Sequence, residues 1–211
     1  MAEETALSFK SVTKVYSRSH LGRNYESRGI EGLDLAVRSG EAFGLLGLNG
    51  SGKTTTFKLA MGLLKPTSGD ISILGLPPSD ARAYSRIGFL PELPYFYSFL
   101  TPEESLGFYG RLSQMPEEGL PRRIAEVLRE VGLSGSQGRK MGEFSKGMVQ
   151  RVGLAQAILH DPKLIILDEP VSGLDPLAIK EFRDTLRALN DKGKTLIVSS
   201  HSISELERLC D

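Results

Sequence analysis

The sequence has one cysteine, Cys210, in 211 residues, and its 26 lysines and arginines are balanced by 26 aspartates and glutamates. A single thiol gives no disulfide framework, and a reducing compartment is compatible. Zero net charge implies no broad basic face. That weighs against a protein that grips duplex nucleic acid, while leaving room for a local patch. No apolar run is long enough to cross a bilayer and no signal peptide is read, so any membrane role is expected through a partner. Internal repeats and low-complexity tracts are also missing, and the length suits one domain with at most a subdomain.

What is present centres on Gly47-Leu48-Asn49-Gly50-Ser51-Gly52-Lys53-Thr54-Thr55. The stretch fits the phosphate-loop pattern G-x-x-x-x-G-K-[ST]. Glycines let the chain turn tightly, so that successive amide N–H groups point at phosphate oxygens. Lys53 brings a cation to the β- and γ-phosphates, and the Thr54 hydroxyl is a candidate magnesium ligand. The apolar run 42–46 before the loop reads as a buried strand. Residues 55–64 after it read as a helix offering Phe57, Leu59, Ala60, Leu63 and Leu64 to the core. A helix N-terminus beneath the loop adds the positive end of its dipole.

Residues 7–16 and 33–37 look like strands, the second alternating Leu33, Leu35 and Val37 with Asp34 and Ala36, as in a half-buried antiparallel strand. Between them, 17–29 is polar and carries Arg18, His20, Arg23 and Arg28; its composition favours a solvated loop. Tyr16 reads equally as a base-stacking aromatic or as an ordinary strand-end residue. A turn at 65–70, a strand around Ile71 and Ile73, and a strand over 86–90 follow. Thr101-Pro102-Glu103-Glu104 is a capping box that starts a helix through Leu112. A second helix covers 121–131 with Ile124, Val127, Leu128 and Val131 on one face, and Ser145 opens a third. Residues 92 to about 160 are therefore expected to form a mostly helical insertion. Strand 163–167, a helix from Asp175-Pro176 to near Gly193, strand 195–199 and a final helix capped by Ser202 and Glu205, running to Asp211, complete the chain. Strands alternating with helices imply a mostly parallel sheet of α/β class.

Asp168 and Glu169 end an apolar strand, where ligands of parallel sheets sit. Asp168 is placed to hold magnesium and Glu169 to polarise an attacking water. His201, after the last strand, is placed to touch a γ-phosphate.

Together these residues resemble the ATP-binding subunit of an ABC transporter. Gly47 to Thr55 matches the Walker A loop and Leu164 to Glu169 matches Walker B with its catalytic glutamate. Phe144-Ser145-Lys146-Gly147-Met148-Val149-Gln150-Arg151 resembles the signature motif. Ser172-Gly173-Leu174-Asp175 resembles the D-loop, His201 falls at the switch histidine, and Tyr16 at the aromatic A-loop. The resemblance implies a P-loop NTPase core with an antiparallel β subdomain and an inserted helical subdomain. It implies ATP and magnesium as ligands, and two ATP-binding domains, as homodimer or heterodimer, holding ATP between the Walker A loop of one and Ser145, Gly147 and Met148 of the other. The partners implied are membrane-spanning permease subunits, with the chain peripheral on the cytoplasmic face of the membrane and not inserted in it. Hydrolysis, assisted by Glu169, then releases the dimer.

Three positions depart from the family pattern. Glu92 stands where glutamine is usual in the lid loop, a Pro-Glu pair shared with similar exporter ATPases; it is a further candidate magnesium or water ligand. The segment after Tyr16 is longer than usual. The chain ends at Asp211, where the family continues into more strand, so a truncated single domain is expected over 1–211. Lys146 at a helix N-terminus is unfavourable by about 0.3–1 kcal/mol, a sign that a γ-phosphate from a second subunit would reverse; a merely solvated Lys146 reads equally well. The main alternative is a soluble ABC ATPase acting on ribosomes, DNA or an assembly complex, a class that often has tandem cassettes or a coiled-coil insertion not visible here. A GTPase would need D-x-x-G and N-K-x-D, which do not occur, and a non-hydrolysing sensor would not need Glu169 and His201.

Overall fold

The computed structural model describes residues 5–20, 23–136 and 138–210, with the backbone alone at 18–20 and 23–25. Four short strands make a parallel sheet: β3 (Ala42–Leu46), β5 (Ile87–Leu90), β6 (Leu164–Leu167) and β7 (Thr195–Ser200), in the order β3-β7-β6-β5. Their sequences are apolar because both faces are covered. In β6, Leu164 and Ile166 pack into one core and Ile165 and Leu167 into the other, as the two-residue strand period requires. All four side chains are inaccessible to solvent, and each such burial is worth roughly 1.5–3 kcal/mol.

On one face lies α1 (Lys53–Ala60), next to an antiparallel sheet of β1 (Thr5–His20), β2 (Arg23–Arg38) and β4 (Ser68–Ile73), in the order β2-β1-β4. On the other lie α5 (Lys146–Ile158) and α6 (Pro176–Asp191), with α3 (Pro102–Leu112) and α4 (Leu120–Glu130) packed against α5. A short α2 (Ala81–Tyr84) and α7 (Ile203–Leu206) complete the set. The expected capping box forms at α3: Thr101 Oγ accepts from Glu104 N at 3.2 Å, and the Glu104 carboxylate accepts from Thr101 N at 2.8 Å. Helix α4 buries Ile124, Val127 and Leu128, with Val131 just beyond it, as its spacing predicts.

Several expectations change. The polar segment 17–29 is not a solvated loop over its described length. It is the outer part of a ribbon in which Tyr16 pairs with Ser27, Ser17 with Glu26, and His20 with Arg23. Backbone pairing needs no apolar side chains, so a ribbon of mostly polar sequence leaves no hydrophobic alternation to read. Residues 21–22, and the side chains of Arg18, His20 and Arg23, lie outside the described residues. Helix α1 stops at Ala60, and Leu63 is 66% exposed rather than in the core. The final helix is a single turn. Ser202 makes no capping bond to its backbone; the hydroxyl pairs instead with Ser204 Oγ at 3.0 Å, and Glu205 accepts from Ser200 Oγ at 2.7 Å. Asp211 lies outside the described residues.

Candidate active site

The carboxyl ends of all four parallel strands meet along one edge. After β3 comes the phosphate loop, after β5 Pro91-Glu92, after β6 Asp168-Glu169, and after β7 His201. Hydrogen bonds continue the pairing past the strands, from Gly47 N to Ser200 O at 3.2 Å and from Asp168 N to Leu90 O at 2.9 Å. A cleft of about 420 Å³ opens there, lined by Tyr16, Asn49, Gly50, Lys53, Glu92 and Asp168 among others.

The loop takes its shape from glycine. Gly50 and Gly52 have φ of 84° and 100°, in the left-handed region that favours glycine. A side chain on Gly52 would also strike Gly29 O at 2.8 Å, because β2 passes directly against the start of α1. Ser51 folds over Gly47, and its amide donates to Leu48 O at 3.1 Å. Lys53, 8% exposed, donates to the Gly47 carbonyl. Its ammonium lies 3.2 Å from Glu169 Oε1. That oxygen is off the hydrogen-bond directions and has no aligned donor, so it is charge-paired yet keeps acceptor capacity. Glu169 Oε2 pairs with His201 Nδ1 at 2.9 Å.

Thr54 Oγ1 lies 3.4 Å from Asp168 Oδ2. These two hard oxygen donors face each other across the cleft floor, which suits magnesium, an ion that completes its shell with phosphate oxygens and water. Among the described residues no cluster of three or more His, Cys, Asp or Glu is placed to hold a metal ion. Glu92 is exposed on the same cleft.

Tyr16 lines the cleft, and its hydroxyl shares a hydrogen bond with Thr55 Oγ1 at 3.1 Å. Its ring packs on Gly29, where any Cβ would come within 2.7 Å of it, and the Lys14 ammonium lies 5.5 Å from the ring centroid. Ser27 and Arg28 of the ribbon also line the cleft. Sequence reasoning left them in a loop.

The remaining expected residues lie apart. Ser145, Gly147, Met148 and Asp175 line a second recess of about 360 Å³ that shares no lining residue with the first. Ser145 caps α5, accepting from Met148 N at 3.3 Å, and Asp175 caps α6, accepting from Ala178 N at 2.9 Å. Two helix N-termini therefore open on one recess, an arrangement favourable to an anion. Lys146 is exposed, with its ammonium reaching back over Gly173. Sequence reasoning missed Ser199, which hydrogen-bonds both acids of the β6 end. The available signal was a hydroxyl pair, Ser199-Ser200, closing an otherwise apolar strand.

Comparison with known proteins follows the same lines. The ABC transporter family profile matches residues 30–172. An uncharacterised ABC transporter ATP-binding protein of Nostoc sp. is 45% identical over 200 residues, 94% of this chain and 59% of that protein. The Nod factor export ATP-binding protein I of Burkholderia lata is 40% identical over 196 residues, 90% of this chain and 64% of the relative. A solved dimeric ATP-binding cassette in a post-hydrolysis state, bound to ADP and Pi, superposes with a TM-score of 0.83 at 26% identity, covering 96% of this chain and 90% of that one. The architecture is the P-loop NTPase fold expected. The chain spans 57% and 59% of the length of the first curated relatives it matches.

Proposed function

The chain belongs to the ABC transporter family, and on that premise we propose that it binds and hydrolyses ATP with magnesium to drive transport through separate membrane-spanning subunits. The observation that carries this reading is the convergence of Lys53, Thr54, Asp168, Glu169 and His201 at the ends of adjacent parallel strands.

Lys53 and the amides of Gly50 to Thr54 bind the phosphates, with α1's N-terminus behind them. Thr54 and Asp168 would hold magnesium. An ion held there would supply charge stabilisation to the phosphate oxygens during phosphoryl transfer. Glu169 accepts the proton of the attacking water. Its Oε1 lies 3.2 Å from the Lys53 ammonium, and a γ-phosphate drawing on the same ammonium would leave that oxygen freer to act as the base. His201 donates from Nδ1 to Glu169, and its second nitrogen donates to a phosphate only when the ring is charged.

The separation of the Ser145 recess from the Lys53 cleft supports the dimer, homo- or heteromeric. Within one chain the two recesses share no lining residue, whereas two chains facing head to tail would bring both to one phosphate. A membrane partner is supported by the surface beside Glu92. Leu93, Tyr95, Tyr97 and Phe99 are 71%, 82%, 52% and 64% exposed, an apolar run of the kind that interfaces bury. No described helix is long and apolar enough to cross a membrane; in this reading the chain acts at the cytoplasmic membrane face, against membrane-spanning subunits. Export is favoured by the Nod factor export relative and by Pro91-Glu92. The relatives' names favour transport over the ribosome, DNA or assembly alternative.

Purification from detergent-solubilised membranes tests the partner. A multi-span protein that co-purifies in stoichiometric amount, with magnesium-dependent ATP hydrolysis lost in Lys53→Ala, is the expected result. An active ATPase recovered from the soluble fraction with ribosomes or nucleic acid would overturn it.

A further inference from the structure

We propose that Ser199 is a positioning residue for ATP hydrolysis, its one hydroxyl setting both acids of the β6 end. The inference rests on the reading of the cleft as a magnesium–ATP site. Ser199 sits on β7, fully buried. Its Oγ donates to Asp168 Oδ1 at 2.6 Å and accepts from Glu169 N at 2.9 Å. The hydroxyl thus uses its donor on one acid and an acceptor site on the backbone of the next.

Each bond has a consequence at the cleft. Fixing Oδ1 of Asp168 sets the carboxylate plane and leaves Oδ2 as the oxygen turned to Thr54 Oγ1, 3.4 Å away. A ligating carboxylate held by an outer hydrogen bond keeps its orientation when the ion arrives. The second bond acts on Glu169, whose φ is 45°, a left-handed conformation unusual for a residue with a side chain. The chain bends at this left-handed residue, and the two acids use different partners: Thr54 for one, Lys53 and His201 for the other. The Glu169 amide would be a buried donor without a partner if Ser199 lacked its hydroxyl.

Ser200, the next residue, provides the contrast of a hydrogen-bonded serine that does not touch the acids: its hydroxyl donates to Glu205 at 2.7 Å and accepts from Ser202 N at 3.0 Å.

The test measures ATP affinity calorimetrically with and without magnesium in the unsubstituted protein, Ser199→Ala and Ser200→Ala. In Ser199→Ala the gain in affinity that magnesium confers should shrink by roughly 10- to 100-fold, the usual effect of losing an outer-shell partner. Magnesium-free affinity should stay within about twofold, since Lys53 and the loop amides are untouched. Hydrogen exchange at the Glu169 amide should accelerate in the same variant. Ser200→Ala should keep the magnesium gain. An unchanged magnesium gain in a folded Ser199→Ala, or an equal loss in Ser200→Ala, overturns the proposal. Should Ser199→Ala not fold, Ser199→Cys keeps the volume with a weaker hydrogen bond and is read by the same two criteria. An unsubstituted protein that gains no affinity from magnesium would defeat the reading of the cleft itself, separately from the role of Ser199.

Discussion

The Lys53 ammonium lies 3.2 Å from Glu169 Oε1, and both residues are 8% exposed. The expected phosphate-binding cation and the expected catalytic base therefore neutralise each other inside the protein. Removing one partner of such a pair leaves a buried charge without its counter-charge. In Glu169→Gln the nucleotide-free protein should unfold at a lower temperature, and ATP should close most of the gap by giving Lys53 a new anion. Hydrolysis should fall by roughly 100-fold or more, because an amide is a far weaker base. ATP binding should survive, and size measurement should find the variant dimeric in ATP and monomeric in ADP. Near wild-type turnover would remove Glu169 as the base.

Lys53→Ala should abolish tight ATP binding, since the ammonium is the cation that the loop offers the phosphates. A calorimetric titration with unchanged affinity would remove this cleft from the mechanism. The same variant leaves the buried Glu169 carboxylate with His201 as its one remaining charged or ring partner among the described residues, so loss of thermal stability should accompany loss of binding.

Tyr16→Ala should weaken ATP and GTP binding alike, by on the order of 1 kcal/mol, because stacking tolerates any base. Tyr16→Phe separates the two contacts of this residue. It keeps the ring and removes only the bond to Thr55 Oγ1. Affinity retained in Tyr16→Phe and lost in Tyr16→Ala assigns the effect to stacking; affinity retained in both makes Tyr16 a strand-end residue.

Glu92→Gln should alter the magnesium dependence of turnover more than magnesium-free nucleotide binding. Glu92 shares the cleft with Thr54 and Asp168 and adds a negative charge beside the proposed ion. Wild-type magnesium dependence would mean that the carboxylate stays away from the metal.

His160, on the far side of the sheet ends, gives a pH dependence. Burial pushes its imidazole below the ordinary 6.5, partly offset by a hydrogen bond with the Ile87 carbonyl at 3.0 Å. The unfolded chain therefore takes the proton first. Stability is full above about pH 6.5 and declines as pH falls through the lower folded value. Thermal unfolding scans across that window should show a shallower decline in His160→Gln than in the unsubstituted protein.

The sequence by itself determined whatever depends on neighbours along the chain. The left-handed turns at Gly50 and Gly52 are local, so the loop was legible from its spacing. Asp168 and Glu169 follow one buried strand, and the Thr101 cap and the apolar face of α4 lie within a few turns of backbone. The tertiary structure alone decided what joins distant positions. Strand order β3-β7-β6-β5 sets β7 between β3 and β6, which brings Ser199 to Asp168 and His201 to Glu169 across about thirty residues of chain. The pairing of Tyr16 with Ser27 was hidden for a different reason. Backbone hydrogen bonds hold the outer ribbon, and they leave no mark on residue type. The ion pair of Lys53 with Glu169 was hidden because charge attracts through space. Its partners were each identified from their own motif, and only the folded chain placed them together.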